Sequence, residues 1–324
     1  MSDPGTAGPP LFIVLNQGSG SDDAAQVRQQ IGDVLVRAGR EHRFLQAARG
    51  SDVPVMAREA VAAAQASRGI VVAAGGDGTI NTVVNAVLGT GCTMGVLPQG
   101  TFNYFGRAQG IPQDTVQATE CLLTGTPQPV QVGLVNDRAF VVNASLGLYP
   151  QLLQDREAYK QRYGRSRWVA AWAAVLSLLH AHRPLRLELS NGQQVRSIRT
   201  PTLFVGNNGL QLSQIGIAEA PAVEQGDLVA ITLRPVGTLA MAWLMLRGAF
   251  GQLGEANDVF SFAFDSMQVR PAAPFGRRRM KVAADGEVFR MRAPLQFRVA
   301  PQPLMLIKPL AAIAPASADP VNSP

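Results

Sequence analysis

The stretch that decides the reading is residues 71–87, VVAAGGDGTINTVVNAV. Its opening apolar run has no alternating polar positions, as expected of a strand buried on both faces. The run ends in Gly75 and Gly76, which permit a tight turn and the close approach of another group. Asp77, Gly78 and Thr79 follow, and a helical pattern continues through Ile80 and Asn81. The first amides of such a helix lack intrahelical partners, so together with the helix dipole they favour a phosphate. A carboxylate at Asp77 suits a Mg²⁺ that bridges phosphate oxygens. The same residues also make an ordinary strand-to-helix turn in which the Asp caps the helix, and this segment alone leaves both readings open. It is not the GxGxxG dinucleotide fingerprint, which needs glycine where Asn81 stands.

Working outward, LFIVL at 11–15 and HRFLQ at 42–46 read as strands with a helix over about 24–38 between them. An Ala-rich helix over about 55–66 leads into the decisive strand, and TMGVLP at 93–98 gives another. Strand and helix alternating in this way imply an α/β unit, a parallel sheet covered by helices. Two further Gly-rich turns follow strands in it. VLNQGSGSDD at 14–23 contains Asn16, Gly18, Ser19 and Gly20; LPQGTFNYFGRAQGIP at 97–112 contains Thr101 and Asn103. Three polar turns at the carboxyl ends of parallel strands converge on one crevice, the usual ligand position in an open α/β sheet.

Beyond about residue 132 the texture becomes mainly β, with AFVVNAS at 139–145, LRLELS at 185–190, TLFVG at 202–206 and LVAITL at 228–233. FAF, MQV, MKVAA and LQFRV follow. Helical insertions are expected over about 151–181 and 237–253, each with Arg beside Trp, Leu and Met. The expected organisation is a disordered head over 1–10, an α/β nucleotide domain over 11–133, a mainly β, sandwich-like domain over 134–310 and a disordered tail over 311–324.

Composition narrows the classes. With 324 residues, 47% apolar and 16% charged, the chain is too apolar to be wholly disordered. A net charge of +6 favours phosphate-bearing partners. Only Lys160, Lys281 and Lys308 are lysines, so the first half cannot supply the lysine of a Walker A loop. Two cysteines without CxxC spacing and three histidines exclude a disulfide framework and a Cys/His zinc site, and a reducing, cytoplasmic setting is expected. The most apolar stretches fall short of the ~20 residues of a membrane span. The arginines are dispersed and no recognised nucleic-acid module is present, so no nucleic-acid partner is expected.

GGDGTIN at 75–81 together with LPQGTFNYFGRAQGIP resembles the catalytic domain of the diacylglycerol kinase and sphingosine kinase family, its bacterial branch above all. VVNASLGLYP at 141–150, FVGNNG at 204–209 and ADGEVF at 284–289 resemble later family patterns. The resemblance implies a fold like that of NAD kinases and diacylglycerol kinases, with ATP and Mg²⁺ as cofactors and a lipid hydroxyl as acceptor. By position, it implies that Asn16 to Gly20 and Gly75 to Asn81 hold the ATP phosphates, with Thr101 touching the nucleotide. Within Asp285-Gly286-Glu287, it makes Glu287 the proton acceptor. Without the resemblance, that Asp-Gly pair reads as a hairpin turn, and a hairpin tip can also present a base across a cleft. Peripheral contact with a membrane surface and a homodimer are further expectations. A kinase of a soluble alcohol or NAD, or a non-catalytic nucleotide or lipid sensor, is the alternative.

The sequence departs from the family at three points. Glu224-Gln225-Gly226-Asp227 stands where the family often has an Asp-Asp-Gly turn holding a structural Mg²⁺, and the neutral amide of Gln225 is a weaker ligand. The family's threonine after the second strand has no counterpart around Leu45 to Arg49. Thr82 replaces a common Glu. Arg277, Arg278, Arg279 and Lys281 form the densest basic cluster, and Arg165, Arg167, Trp168 and Trp172 fit either an interfacial helix or a core one.

Overall fold

Four strands, β1 (Leu11–Asn16), β2 (His42–Ala47), β3 (Ile70–Gly75) and β4 (Thr93–Pro98), run parallel in the order β2-β1-β3-β4. The computed structural model describes residues 8–16, 23–148, 150, 184–272 and 279–310. All six residues of β3 are buried, which explains why its run carries no polar alternation. The helices α1 (Asp23–Arg37), α2 (Val53–Ser67) and α3 (Asp77–Val87) connect successive strands. Ala57, Ala60 and Ala64 are buried on α2, and these small side chains at helical spacing let it lie close against β1 and α3.

After β4 the chain forms α4 (Tyr104–Ala108), α5 (Thr115–Thr124) and β5 (Thr126–Val130). Asp114 caps α5 by accepting from the Gln117 amide at 3.0 Å. β5 does not pair with β4. The last strand of the described chain, β18 (Leu304–Lys308), lies between them, parallel to β4 and antiparallel to β5. The sequence division at 133 assigned Leu304–Lys308 to the second unit, whereas its hydrogen bonds are in the first sheet. Leu304, Leu306 and Ile307 are buried in the first core. A five-residue apolar strand carries no mark of which sheet it joins.

The strands β6 (Gly133–Val135), β7 (Arg138–Phe140), β8 (Asn143–Gly147), β9 (Leu185–Ser190), β10 (Val195–Thr200), β11 (Thr202–Gly206), β12 (Leu228–Leu233), β13 (Val259–Phe264), β14 (Ser266–Pro271), β15 (Arg279–Ala284), β16 (Glu287–Arg292) and β17 (Leu295–Val299) form two antiparallel sheets. Their orders are β10-β9-β14-β17-β6-β7 and β13-β12-β11-β8-β15-β16. Leu187, Leu189, Val269 and Phe297 of one sheet meet Leu146, Val205, Ala230 and Val282 of the other in a shared core, a β-sandwich as expected for the second half of the chain.

AFVVNAS, one run in the sequence, is two strands. The amides of Val141, Val142 and Asn143 turn toward the Asp285 carboxylate at 2.7, 2.9 and 2.8 Å, and the break between β7 and β8 falls there. The insertion expected over 237–253 contains a helix, Thr238–Ala249. The insertion over 151–181, the cluster at Arg277 and Arg278, and the Trp168 and Trp172 pair lie outside the described residues, as do residues 1–7 of the expected head and the tail over 311–324.

Candidate active site

Asp77 opens α3, with Gly76 as the extended residue before it. Gly76 and Gly100 press two of the expected loops together, because a Cβ on Gly100 would stand 2.8 Å from the Gly76 Cα. The Gln99 amide donates to the Gly75 carbonyl at 2.9 Å, extending the contact from β3 to the turn after β4. Asn16 Nδ2 donates to Thr79 Oγ1 at 3.0 Å, bringing the end of β1 to the same place. The carboxyl end of β1 and the turns after β3 and β4 therefore meet at one place. Gly18, Ser19 and Gly20 lie outside the described residues.

The residues singled out from the sequence divide by what already occupies them. Thr101 is exposed and Gly78 is partly open. Thr79 is buried, bonded to Asn16 and packed under Gly75. Ile80 is fully enclosed in the first core, and its amide donates to the Gly76 carbonyl at 3.0 Å. Asn103, at φ 48°, closes its own turn: its Oδ1 accepts from the Gly100 amide at 2.8 Å and its Nδ2 donates to the Gly100 carbonyl at 2.9 Å and to Gln113 Oε1 at 3.0 Å.

Asp77 accepts long bonds from the amides of Tyr104 and Phe105, both at 3.4 Å, and so faces the start of α4. Burial raises its carboxyl above the ordinary range, and the amides of Phe105, Tyr104 and Asn103 oppose that rise. Among the described residues, no three His, Cys, Asp or Glu side chains gather at a point able to hold a metal. Asp77 remains the carboxylate nearest the turns. One protein carboxylate suffices for a Mg²⁺ that arrives on phosphates and keeps its waters.

Asn81 reaches the second domain. Its Nδ2 donates to Asp285 Oδ2 at 2.6 Å and to the Ala139 carbonyl at 3.0 Å. Asn85, one turn later on α3, takes both backbone groups of Ala139: its Nδ2 donates to the carbonyl at 3.1 Å and its Oδ1 accepts from the amide at 2.9 Å. Asn85 escaped the sequence reading. Its signal was an Asn four residues after Asn81, on the same helix face.

Asp285 and Gly286 form the two-residue tip of the β15–β16 hairpin, with φ of 44° and 87°, as the Asp-Gly pair implied. The Asp285 carboxylate is ringed by Asn81 and by the amides of Val141, Val142 and Asn143. Burial pushes its carboxyl up to about 6, although all four donors favour the anion. Both Asp285 oxygens accept hydrogen bonds from within the protein, so this carboxylate joins the hairpin to α3 and to the β7–β8 break.

Glu287 opens β16 and is about half exposed. Its Oε2 accepts from Arg138 at 3.1 Å. Arg138 starts β7 after the two-residue turn Asn136-Asp137, and its guanidinium lies over the Phe289 ring at 3.6 Å. Burial lowers the Arg138 pKa while Glu287 and Asp285 raise it. This arginine also escaped the sequence reading, since nothing local marks an Arg in a hairpin as the partner of an acid far along the chain. Asn143 Oδ1 and Ser145 Oγ on β8 are buried with no hydrogen-bond partner among the described residues.

The second Asn pair ties the domains on another side. Asn207 Oδ1 accepts from Gln131 at 2.8 Å, and Asn208 Nδ2 donates to the Tyr104 carbonyl at 3.1 Å. Gln131 also donates to the Asp227 carbonyl at 3.0 Å, so the turn containing Gln225 is fixed against the domain junction.

A family model described as diacylglycerol kinase catalytic domain matches residues 10–135, the segment that builds these converging turns. These residues belong to the diacylglycerol kinase catalytic-domain family. A diacylglycerol kinase of Bacillus subtilis (strain 168) is 33% identical over 181 residues, covering 55% of this chain and 58% of that protein. A probable lipid kinase, YegS-like, of Klebsiella pneumoniae (strain 342) is 42% identical over 79 residues, 24% of this chain and 27% of that one. The chain spans somewhat over half the length of the Bacillus subtilis relative. A crystal structure of a putative diacylglycerol kinase from Bacillus anthracis str. Sterne matches with a TM-score of 0.69 at 20% identity, over 94% of this chain and 98% of that one. The kinase-family domain is thus followed by a β-sandwich in the fold of that structure.

Proposed function

We propose that this protein transfers the γ-phosphoryl group of ATP to the hydroxyl of a lipid, with a diacylglycerol-like molecule as the first acceptor. The observation that carries the reading is the Asn81–Asp285 bond, which fastens the helix of the phosphate-side turn to the hairpin bearing Glu287. In the reaction, the acceptor oxygen forms the new bond to phosphorus, the bond to the leaving ADP oxygen breaks, and the hydroxyl proton passes to Glu287. A positioned carboxylate is suited to that step, because a neutral alcohol is a poor nucleophile. Arg138 holds Glu287 by pairing with it and by resting on Phe289. The free amides at the start of α3 and the turns around Gly76 and Gly100 favour the phosphates. A Mg²⁺ accompanying the triphosphate would be held by Asp77 and would neutralise charge on the transferring group.

Among the described residues, no helix is long and apolar enough to cross a membrane. Peripheral contact is supported by the helix Thr238–Ala249 and the residue after it, where Trp243, Leu246 and Phe250 are exposed by 59%, 47% and 72%. These positions recur at helical spacing on one side, the pattern of an interfacial helix. The deciding experiment offers ATP with diacylglycerol in vesicles beside a panel of soluble alcohols and NAD. The reading requires phosphate transfer to the lipid; turnover confined to the soluble acceptors would refute it.

A further inference from the structure

The two edges of the β-sandwich are finished differently. At one edge β7 faces β16, and Arg138 spans them. At the other, β10 faces β13 and the sheets part around an open cavity of about 640 Å³. Residues directly opposite in an antiparallel pair share a face of the sheet. Phe260, Phe262 and Phe264 of β13 pair with Thr232, Ala230 and Leu228, of which Ala230 and Leu228 lie in the sandwich core. The three phenylalanines therefore line the inner face of an edge strand, yet Phe260 and Phe262 are exposed by 44% and 37%. Across the gap, Arg196 and Ile198 of β10 pair with Leu189 and Leu187, also core residues, so an arginine points inward.

The walls differ in chemistry from the floor. Leu189, Ile198 and Met267 form an apolar base, while Arg196, Arg199 and Arg234 contribute to the lining. The Arg234 guanidinium lies 4.8 Å from the Phe260 ring centroid. Among the described residues, no acidic side chain lines this cavity. An inward charge on an edge strand can serve simply to block pairing with another sheet. That explains Arg196, but neither the arginine on the opposite wall nor an exposed row of phenylalanines between them. The volume falls within the range of small-ligand sites.

We infer that this open edge binds a lipid with a phosphate headgroup, its acyl chain against Phe262, Phe264 and Met267 and its phosphate between Arg196 and Arg234. Guanidinium groups match phosphate oxygens in geometry as well as charge. The site is separate from Glu287. β13 and β16 are opposite edges of one six-stranded sheet, which sets them roughly 24 Å apart at ordinary strand spacing. The inference does not depend on the phosphoryl-transfer reading.

The test is calorimetric titration of the full chain with 1-oleoyl lysophosphatidate below its micellar concentration, beside neutral monoolein. Expected are one saturable site for the phosphate lipid, at least tenfold weaker binding of monoolein, and at least tenfold weaker phosphate-lipid binding in the double variant Arg196→Glu, Arg234→Glu. Both arginines are exposed, so the variant keeps its fold, and its melting curve verifies this. Glu287→Gln should bind as tightly as the parent; loss of binding there would assign the probe to the acceptor site and overturn the inference. Equal binding of both lipids, or indifference to the double variant, would also overturn it. So would a dimer in sedimentation that Phe262→Ser dissociates, since a second copy would then be what covers the phenylalanines.

Discussion

Asn81 Nδ2 and Asp285 Oδ2 lie 2.6 Å apart, a hydrogen bond between residues 204 positions apart in the chain. It joins the helix of the first decisive motif to the hairpin of the last one. The same carboxylate gathers three consecutive amides at the domain junction, so one side chain fixes the position of the hairpin, of the β7–β8 break and of α3 together.

Replacing Asn81 by Ala removes one of the four donors to Asp285, while Asn85 still serves the Ala139 carbonyl. A hydrogen bond to a charged group contributes about 1.5–3 kcal/mol, and a loss of that size is expected. Urea denaturation should show a lower midpoint at unchanged slope. An unaltered midpoint would mean that the backbone amides alone hold the hairpin.

The pH dependence has a definite sign. Asp285 titrates at about 6 when folded and near the ordinary carboxylate value of about 4 when unfolded. The native state therefore binds more protons between those values, and stability from this group falls as pH rises from about 4 to about 6, by up to about 3 kcal/mol. Stability curves of the parent and of Asp285→Asn should differ in slope across that window. The variant should also be weaker throughout, because its amide presents N–H groups to N–H groups. Parallel curves would contradict the shift.

Much of the first domain was legible, because β3 and α3 announce themselves through an uninterrupted apolar run, two glycines and a helical period. The meeting of the end of β1 with the turns after β3 and β4 followed from the rule for parallel sheets. The occupants of the site residues were not legible. Asn81, Asn103 and Asp285 are polar residues in Gly-rich turns, which reads equally as ligand binding and as self-bonding; only partners distant in sequence distinguish the two. Arg138 and β18 were missed for the same reason, since both are defined by neighbours more than a hundred residues away.

Gly100→Ala and Gly78→Ala form a matched pair. A methyl at Gly100 would meet Asn103 Oδ1 at 2.7 Å and the Gly76 Cα at 2.8 Å, driving the two turns apart. Overpacking of that kind costs about 1–3 kcal/mol, and the KM for ATP should rise with it. A methyl at Gly78 meets nothing within 4 Å and sits in α3, so a gain of about 0.4–1 kcal/mol is expected in thermal unfolding. The reverse ranking would disprove the close approach of the turns.

Glu287→Gln should lower kcat by about 10² or more, the usual scale for loss of a general base, with little change in ATP affinity. Arg138→Gln should also lower kcat, by freeing Glu287, while its effect on ATP affinity stays small. Steady-state kinetics with vesicle-borne acceptor reads both. Full activity in Glu287→Gln would remove this residue from the chemistry.

Leu306, fully enclosed in β18, should cost about 2–5 kcal/mol as Ala, as large as a truncation in the middle of either core. Because β18 belongs to the first sheet, the loss should appear as unfolding of the nucleotide side. Thermal unfolding of Leu306→Ala should therefore begin at a lower temperature than that of the parent; an unchanged curve would show the strand to be dispensable there.

The position of β18 also bears on synthesis. While the ribosome is still making the sandwich, β4 has an unpaired flank and β5 has nothing to pair with. Translation at 5–20 residues per second leaves that flank bare for on the order of ten seconds or more before Leu304 emerges. Such a flank is a template for pairing with another nascent chain. The growing polypeptide is therefore most open to chaperone capture, or to aggregation, after β4 and β5 have been made and before β18 arrives.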